Sequence, residues 1–201
     1  MAEPWLNRLY RLSHRYYQLK AMLYYRPMFK KLGKGTAIRK PLLILNPHCI
    51  QIGEHVLIRE GARLEAIITD PQKQPLLVIG DRTNIEQNVH IVCHRKVVIG
   101  SQVTITGNCA IVDVHHPYED IHDPRKIGER MPQEDSFVEI QDGAFLGMGS
   151  VVLPNVTIGH KAVIGANSVV TKSVPDYCVA AGVPARILRR YDPDRGEWTW
   201  E

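Results

Sequence analysis

The sequence predicts an all-β fold, a parallel β-helix, on three linked observations. One aliphatic residue returns every six positions without slippage, at Ile140, Leu146, Val152, Ile158, Ile164 and Val170. Two positions ahead of each of the last five stands a small or slim residue: Ala144, Ser150, Val156, Ala162 and Ser168. Three positions ahead stand Gly143, Gly149, Asn155, Lys161 and Asn167, mostly types that tolerate a left-handed backbone at a tight corner. An α-helix needs a period of 3.6 and a half-buried strand a period of 2, so a period of six with a fixed corner residue describes a short strand followed by a turn. Three such units close one triangular coil, and each coil is stabilised mainly by its neighbours.

The N-terminal residues 1–35 read as a helical arm. Trp5, Leu9, Leu12, Tyr16, Leu19 and Leu23 alternate steps of three and four, the spacing of one apolar helical stripe, with Arg8, Arg11 and Arg15 on a neighbouring face. Pro27 ends the helix. The stripe is expected to pack on the first coil or on another subunit. A second reading, from the basic residues with Trp5, Tyr16, Tyr17, Tyr24 and Tyr25, is peripheral contact with an anionic membrane surface.

Residues 36–174 form the prism, about six coils. Earlier six-residue sets are Ile99, Ile105, Ile111; Ile79, Ile85, Ile91; Ile52, Ile58, Leu64; and, as the first, Ile38, Ile44, Ile50. The register breaks twice. Leu64 to Ile79 spans an excursion from Thr69 to Pro75, and Ile111 to Ile140 spans a polar loop, placed at 112–137, too long for a corner. Residues 175–201 are a C-terminal segment with a short helix and a tail.

Composition bounds the function. With 201 residues, 44% hydrophobic and 23% charged, the chain reads as one soluble domain. No apolar run approaches the roughly 20 residues of a membrane helix. The start, Met1-Ala2-Glu3-Pro4-Trp5, lacks the basic-then-apolar order of a secretory signal, so a cytoplasmic protein is expected. Cys49, Cys93, Cys109 and Cys178 form no C-x-x-C pair and read as buried thiols. The net charge of +4 hides an asymmetry: residues 1–40 hold ten Lys/Arg against one acid, or +9, and the remainder carries −5. No nucleic-acid module accompanies the basic arm, so nucleic acid is not an expected partner.

The stretches Val112-Asp113-Val114-His115-His116-Pro117 and Gly159 to Arg186, the latter with Ala181-Gly182-Val183-Pro184-Ala185-Arg186, carry a family resemblance. Over about residues 50–190 the chain resembles the hexapeptide-repeat acyltransferases, in the branch of the galactoside and maltose O-acetyltransferases and the lipopolysaccharide or capsule O-acetyltransferases. The resemblance implies a left-handed winding, a homotrimer, acetyl-CoA as co-substrate and active sites between adjacent subunits. No metal is expected.

Acetyl transfer from a thioester to a hydroxyl needs a base, an oxyanion donor and a groove for the pantetheine arm. By the resemblance, His116 is the base, since imidazole titrates near neutrality. Asp113 either orients that imidazole or caps the loop turn. Asn88, His115 and Tyr118 are acceptor-side candidates; Asn88 also stands in a corner slot, where Asn is expected for structural reasons. Phe145 stands where relatives usually have tryptophan and packs on the arm. The resemblance further implies that the backbone N–H of Met148 meets the acetyl carbonyl, that Ala166 borders the arm, and that Lys172 and Arg186 contact the adenosine phosphates.

The acceptor is expected to be a sugar hydroxyl in a polysaccharide or lipid-linked glycan. The loop offers Asp113, Glu119, Asp120, Asp123, Glu129, Glu134 and Asp135 for hydrogen bonds to a polyol. An antibiotic O-acetyltransferase is the nearest rival. More distant readings are a hydratase like the γ-carbonic anhydrases, with His90, His94, His116 and His122 available for zinc, and a non-catalytic trimeric scaffold.

Overall fold

The computed structural model describes residues 5–132 and 134–201; residues 1–4, part of the N-terminal stretch read for a signal, and residue 133 lie outside it. Three sheets of parallel strands wall a triangular prism. The first runs through Lys31–Leu32, Ile50–Ile52, Leu76–Ile79, Lys96–Ile99, Phe137–Ile140 and Val156–Ile158. The second begins Ala37–Ile38, Leu57–Ile58, Asn84–Ile85, Thr104–Ile105, Phe145–Leu146 and Val163–Ile164. The third is Leu43–Leu45, Arg63–Ala66, His90–Cys93, Ala110–Val112, Val151–Val152 and Val169–Val170.

Register turns the six-residue period into a core. Ile79 pairs with Ile52 and Ile99, Ile99 with Ile140, and Ile140 with Ile158, so one inward column climbs the first sheet. Ile140, Leu146, Val152, Ile158, Ile164 and Val170 are all buried, as are Ala144, Ser150, Val156, Ala162 and Ser168 beside the corners. The corner residues Gly143, Gly149, Asn155, Lys161 and Asn167 have φ between 50° and 72°. Each slot therefore has its own constraint: aliphatic volume at the centre, a slim side chain beside the bend, a left-handed backbone at the bend.

The first coil differs from the expected set. Ile50 lies in the second coil beside Ile52 and pairs with Leu77 of the third, and Leu32, paired with Ile52, takes its place in the first. A 3₁₀ turn at Pro47–Cys49 precedes the strand, whose two-residue alternation then points both Ile50 and Ile52 inward. The C-terminal segment also differs, because strands replace the expected short helix. Cys178–Gly182 joins the second sheet, Ala185–Asp192 runs antiparallel to it, and Glu197–Trp200 pairs back. Gly196, at φ 68°, closes the hairpin turn, and Tyr191 pairs with Trp198 and Arg189 with Trp200 across it.

The N-terminal helix Trp5–Lys20, continued by a π-helical turn at Ala21–Tyr25, lies against Ala37–Ile38 of the first coil. It docks through the face that the apolar stripe does not occupy. Tyr17 and Ala21 are buried, Gln18 Nε2 donates to the Gly35 carbonyl at 2.9 Å, and the Arg39 guanidinium lies 5.3 and 5.1 Å from the ring centres of Tyr10 and Tyr17. The stripe itself faces away, with Trp5, Leu9, Leu12, Tyr16, Leu19 and Leu23 between 52% and 68% exposed. Packing of the stripe on the first coil is thus overturned: the coil presents a carbonyl and a guanidinium, which select the polar and aromatic face. Among the described residues no helix is long and apolar enough to cross a membrane. All four cysteines are buried and free.

Candidate active site

The loop between Ala110–Val112 and Phe137–Ile140 is rooted by Asp113. The Asp113 carboxylate is fully buried and accepts three backbone N–H bonds from the preceding coil, from His94 at 2.6 Å, Arg95 at 2.7 Å and Lys96 at 2.8 Å. The Ser136 hydroxyl donates to the Asp113 carbonyl, tying the returning end of the loop to its start. Of the two roles open to Asp113, these bonds are those of the turn cap.

His116 is held instead by the backbone. Its Nδ1 lies 3.0 Å from the Arg130 carbonyl oxygen. A carbonyl only accepts, so Nδ1 carries the proton and the lone pair of the neutral ring is on Nε2. The carbonyl is positioned in turn by the side chain of Arg130, a buried residue that sequence reasoning missed. Arg130 Nε donates to the Arg125 carbonyl at 3.1 Å, Nη1 to that of Asp120 at 2.9 Å, and Nη2 to those of Asp123 at 2.8 Å and Arg125 at 3.0 Å. One planar cation thus ties three carbonyls of the acidic segment to the residue that orients His116.

The acidic side chains expected to meet a polyol are largely engaged within the chain. Asp123 pairs with Arg125 at 2.6 Å; hydrogen bonds from that side chain first, and from the Arg125 backbone N–H second, hold its carboxyl down to about 2. Asp135 lies 3.1 Å from Arg95 Nε. Asp120 accepts from the His122 backbone N–H, and Glu119 from that of Tyr118, each at 2.9 Å. His115 and Tyr118 are exposed beside His116 in sequence.

Asn88 stands at the corner between the second and third sheets, at φ 57°, where its Nδ2 donates to Asn108 Oδ1 at 3.3 Å. Later coils carry the co-substrate candidates along that same edge. Phe145 projects from the outer face of the second sheet between Thr104 and Val163. Met148 and Ala166 follow at the corner on successive coils, where the backbone N–H of Asn167 donates to the Met148 carbonyl at 2.8 Å. Coil contact is close there: a Cβ at Gly147 would come within 2.5 Å of the Ala166 nitrogen. Lys172 and Arg186 meet in a groove of about 370 Å³ at the C-terminal end of the prism, with Ser173, Ala185 and Glu201.

The single chain therefore brings Lys172 and Arg186 together and aligns Phe145, Met148 and Ala166. It roots the His116 loop on a different edge, between the third and first sheets. Two of the other histidines read for zinc have local partners: His90 Nε2 lies 2.7 Å from Glu65 Oε1, and buried His94 Nε2 lies 2.9 Å from Thr69 Oγ1. Among the described residues no three His, Cys, Asp or Glu side chains cluster as a metal site.

Comparison with known proteins gives a consistent placement. Residues 137–172 match the family model for the bacterial transferase hexapeptide, six repeats. The chain is 33% identical over 165 residues to the putative lipopolysaccharide biosynthesis O-acetyl transferase WbbJ of Escherichia coli K12, covering 80% of this chain and 82% of the relative. It is 42% identical over 103 residues to the galactoside O-acetyltransferase of the same organism, covering 51% of this chain and 48% of that one, about half its length. Among solved structures, the hexapeptide-repeat acetyltransferase VCA0836 of Vibrio cholerae, complexed with acetyl coenzyme A, aligns with a TM-score of 0.60 at 24% identity over 92% of this chain and 88% of that one. That last likeness is one of fold.

Proposed function

The chain belongs to the hexapeptide-repeat transferase family, and from that premise we propose that it moves the acetyl group of acetyl-CoA to a sugar hydroxyl, in a polysaccharide or lipid-linked glycan. The observation that carries the reading is the contact between His116 Nδ1 and the Arg130 carbonyl at 3.0 Å. It presents Nε2 as the basic nitrogen. In the proposed reaction Nε2 takes the acceptor's hydroxyl proton as that oxygen attacks the thioester carbonyl. The imidazolium that forms is stabilised through Nδ1 by the Arg130 carbonyl. The Met148 backbone N–H is assigned to the tetrahedral oxyanion. Collapse of that intermediate breaks the C–S bond, and Nε2 returns the proton to the departing CoA thiolate.

The residues present suit such a co-substrate. Phe145 offers an exposed ring for the pantetheine arm, Ala166 has no bulk to obstruct it, and the groove shared by Lys172 and Arg186 supplies two cations for phosphates. Separation of the histidine loop and the co-substrate edge on one prism supports a homotrimer, in which the loop of one copy meets the edge of the next; the left-handed winding of each prism rests on the family. Acetyl-CoA supply places the reaction in the cytoplasm. Asn88, His115 and Tyr118 are assigned to the acceptor side.

The test is release of free CoA thiol from acetyl-CoA across a panel of sugars, glycans and aminoglycoside or other hydroxylated antibiotics. Stimulation by a saccharide, lost in His116→Ala, is the expected result. Stimulation by antibiotics alone, or by nothing in the panel, overturns the reading.

A further inference from the structure

The N-terminal helix is docked by its polar and aromatic face, and its apolar stripe is turned outward. We propose that this stripe is a docking face for an anionic phospholipid bilayer, a function separate from acetyl transfer and standing without it. Four observations carry the proposal.

The first is orientation. Tyr17 and Ala21 meet the prism, whereas all six residues of the stripe are more than half exposed. A helix that hides its amphipathic surface on its own domain shows the opposite arrangement. The second is charge. Arg8 and Arg15 are exposed on one flank of the stripe, Lys20 lies on the other, and Arg26 is exposed just after the π-helical turn. Cations bordering an apolar face match the headgroup layer of an anionic bilayer.

The third observation is the aromatic content of the face. Trp5, Tyr16 and Tyr24 are 68%, 60% and 55% exposed, and such rings favour the boundary between acyl chains and headgroups. The fourth is a cleft of about 280 Å³ where the edge of the stripe at Leu19 approaches the first coil, lined by Leu19, Met22 and Leu32 together with Gln18, Thr36, Arg26 and Lys34. A lining that mixes aliphatic side chains with two cations suits a phosphate headgroup and the root of its acyl chain. A second copy of this chain is the poorer occupant. Pairing stripe with stripe would bring together two segments that each carry +9 over residues 1–40.

The experiment is flotation of the purified full chain with phosphatidylcholine vesicles, with and without phosphatidylglycerol, read beside the oligomeric state by light scattering. Binding that requires phosphatidylglycerol and weakens with salt is expected. Leu12→Glu combined with Leu19→Glu should cut the bound fraction about tenfold while the fold and oligomeric state are unchanged. Arg8→Ser with Arg15→Ser should remove the preference for the anionic lipid without touching the stripe. Failure of the folded wild-type chain to float with phosphatidylglycerol vesicles overturns the proposal. So does a smaller oligomer in the Leu12→Glu, Leu19→Glu variant, which would make the stripe a subunit interface.

Discussion

His116 Nδ1 donates to the main-chain carbonyl of Arg130 across 3.0 Å, although the two residues are fourteen apart in a loop without regular strands. The bond fixes both the tautomer and the plane of the ring. With His116→Ala, kcat should fall by about 10²–10⁴, the usual contribution of a general base, while the dissociation constant for acetyl-CoA measured by calorimetry stays the same. An unaltered kcat would remove His116 from the chemistry.

Arg130 is a positioning residue in the same assembly, since its guanidinium bonds three carbonyls of the loop and its own carbonyl holds the imidazole. Arg130→Ala should lower kcat by about 10- to 100-fold, the scale of a misplaced catalytic group, with little change in KM for acetyl-CoA. The downfield proton resonance of His116 Nδ1–H should broaden or disappear. Arg130→Lys should fail to rescue either property, because a single ammonium cannot reproduce the planar fork. Full activity in the lysine variant would show that only the charge matters.

Asp113 makes its contribution at the root of the loop. Removing a buried carboxylate that accepts three backbone N–H bonds leaves those donors without a partner. Asp113→Ala should lose roughly 3–5 kcal/mol of stability in urea unfolding. The pH profile of its residual activity should match wild type if Asp113 acts only through the loop. A displaced limb on that profile would instead indicate direct coupling to His116.

The prism was legible because its geometry acts on residue type at fixed offsets. A left-handed corner admits Gly or Asn at little cost, and the inward column admits little but aliphatic volume, so Gly149, Asn167 and Ile164 announce their positions. His116 was legible only through its motif. Arg130 was not, since its partners are main-chain carbonyls and any residue supplies those. The orientation of the N-terminal helix escaped for a related reason: periodicity reveals that Leu12 and Leu19 share a face, but the partner surface around Gly35 and Arg39 decides which face docks. The C-terminal hairpin did have a signal, the turn from Asp192 to Gly196 between alternating aromatic and polar residues, which a helical reading of the tail overlooks.

His94 ties this architecture to pH. The ring is fully buried, its Nε2 faces Thr69 Oγ1, and its Nδ1 has no hydrogen-bond partner. Burial first, and the charge of Arg95 second, lower its pKa below 6.5, with Asp113 and Asp135 opposing. The folded chain therefore resists a proton that the unfolded chain accepts. Below pH 6.5 the unfolded state binds more protons, so stability falls as pH drops toward the depressed folded value, and above 6.5 the effect is absent. His14, lowered in the same direction by burial and then by Arg39 and Arg59, adds to the same slope. The urea midpoint should decline from about pH 7.5 to about pH 5. His94→Phe should flatten that decline without abolishing it, because His14 still titrates. Equal slopes in the two proteins would mean that His94 charges as readily in the fold as in the unfolded chain.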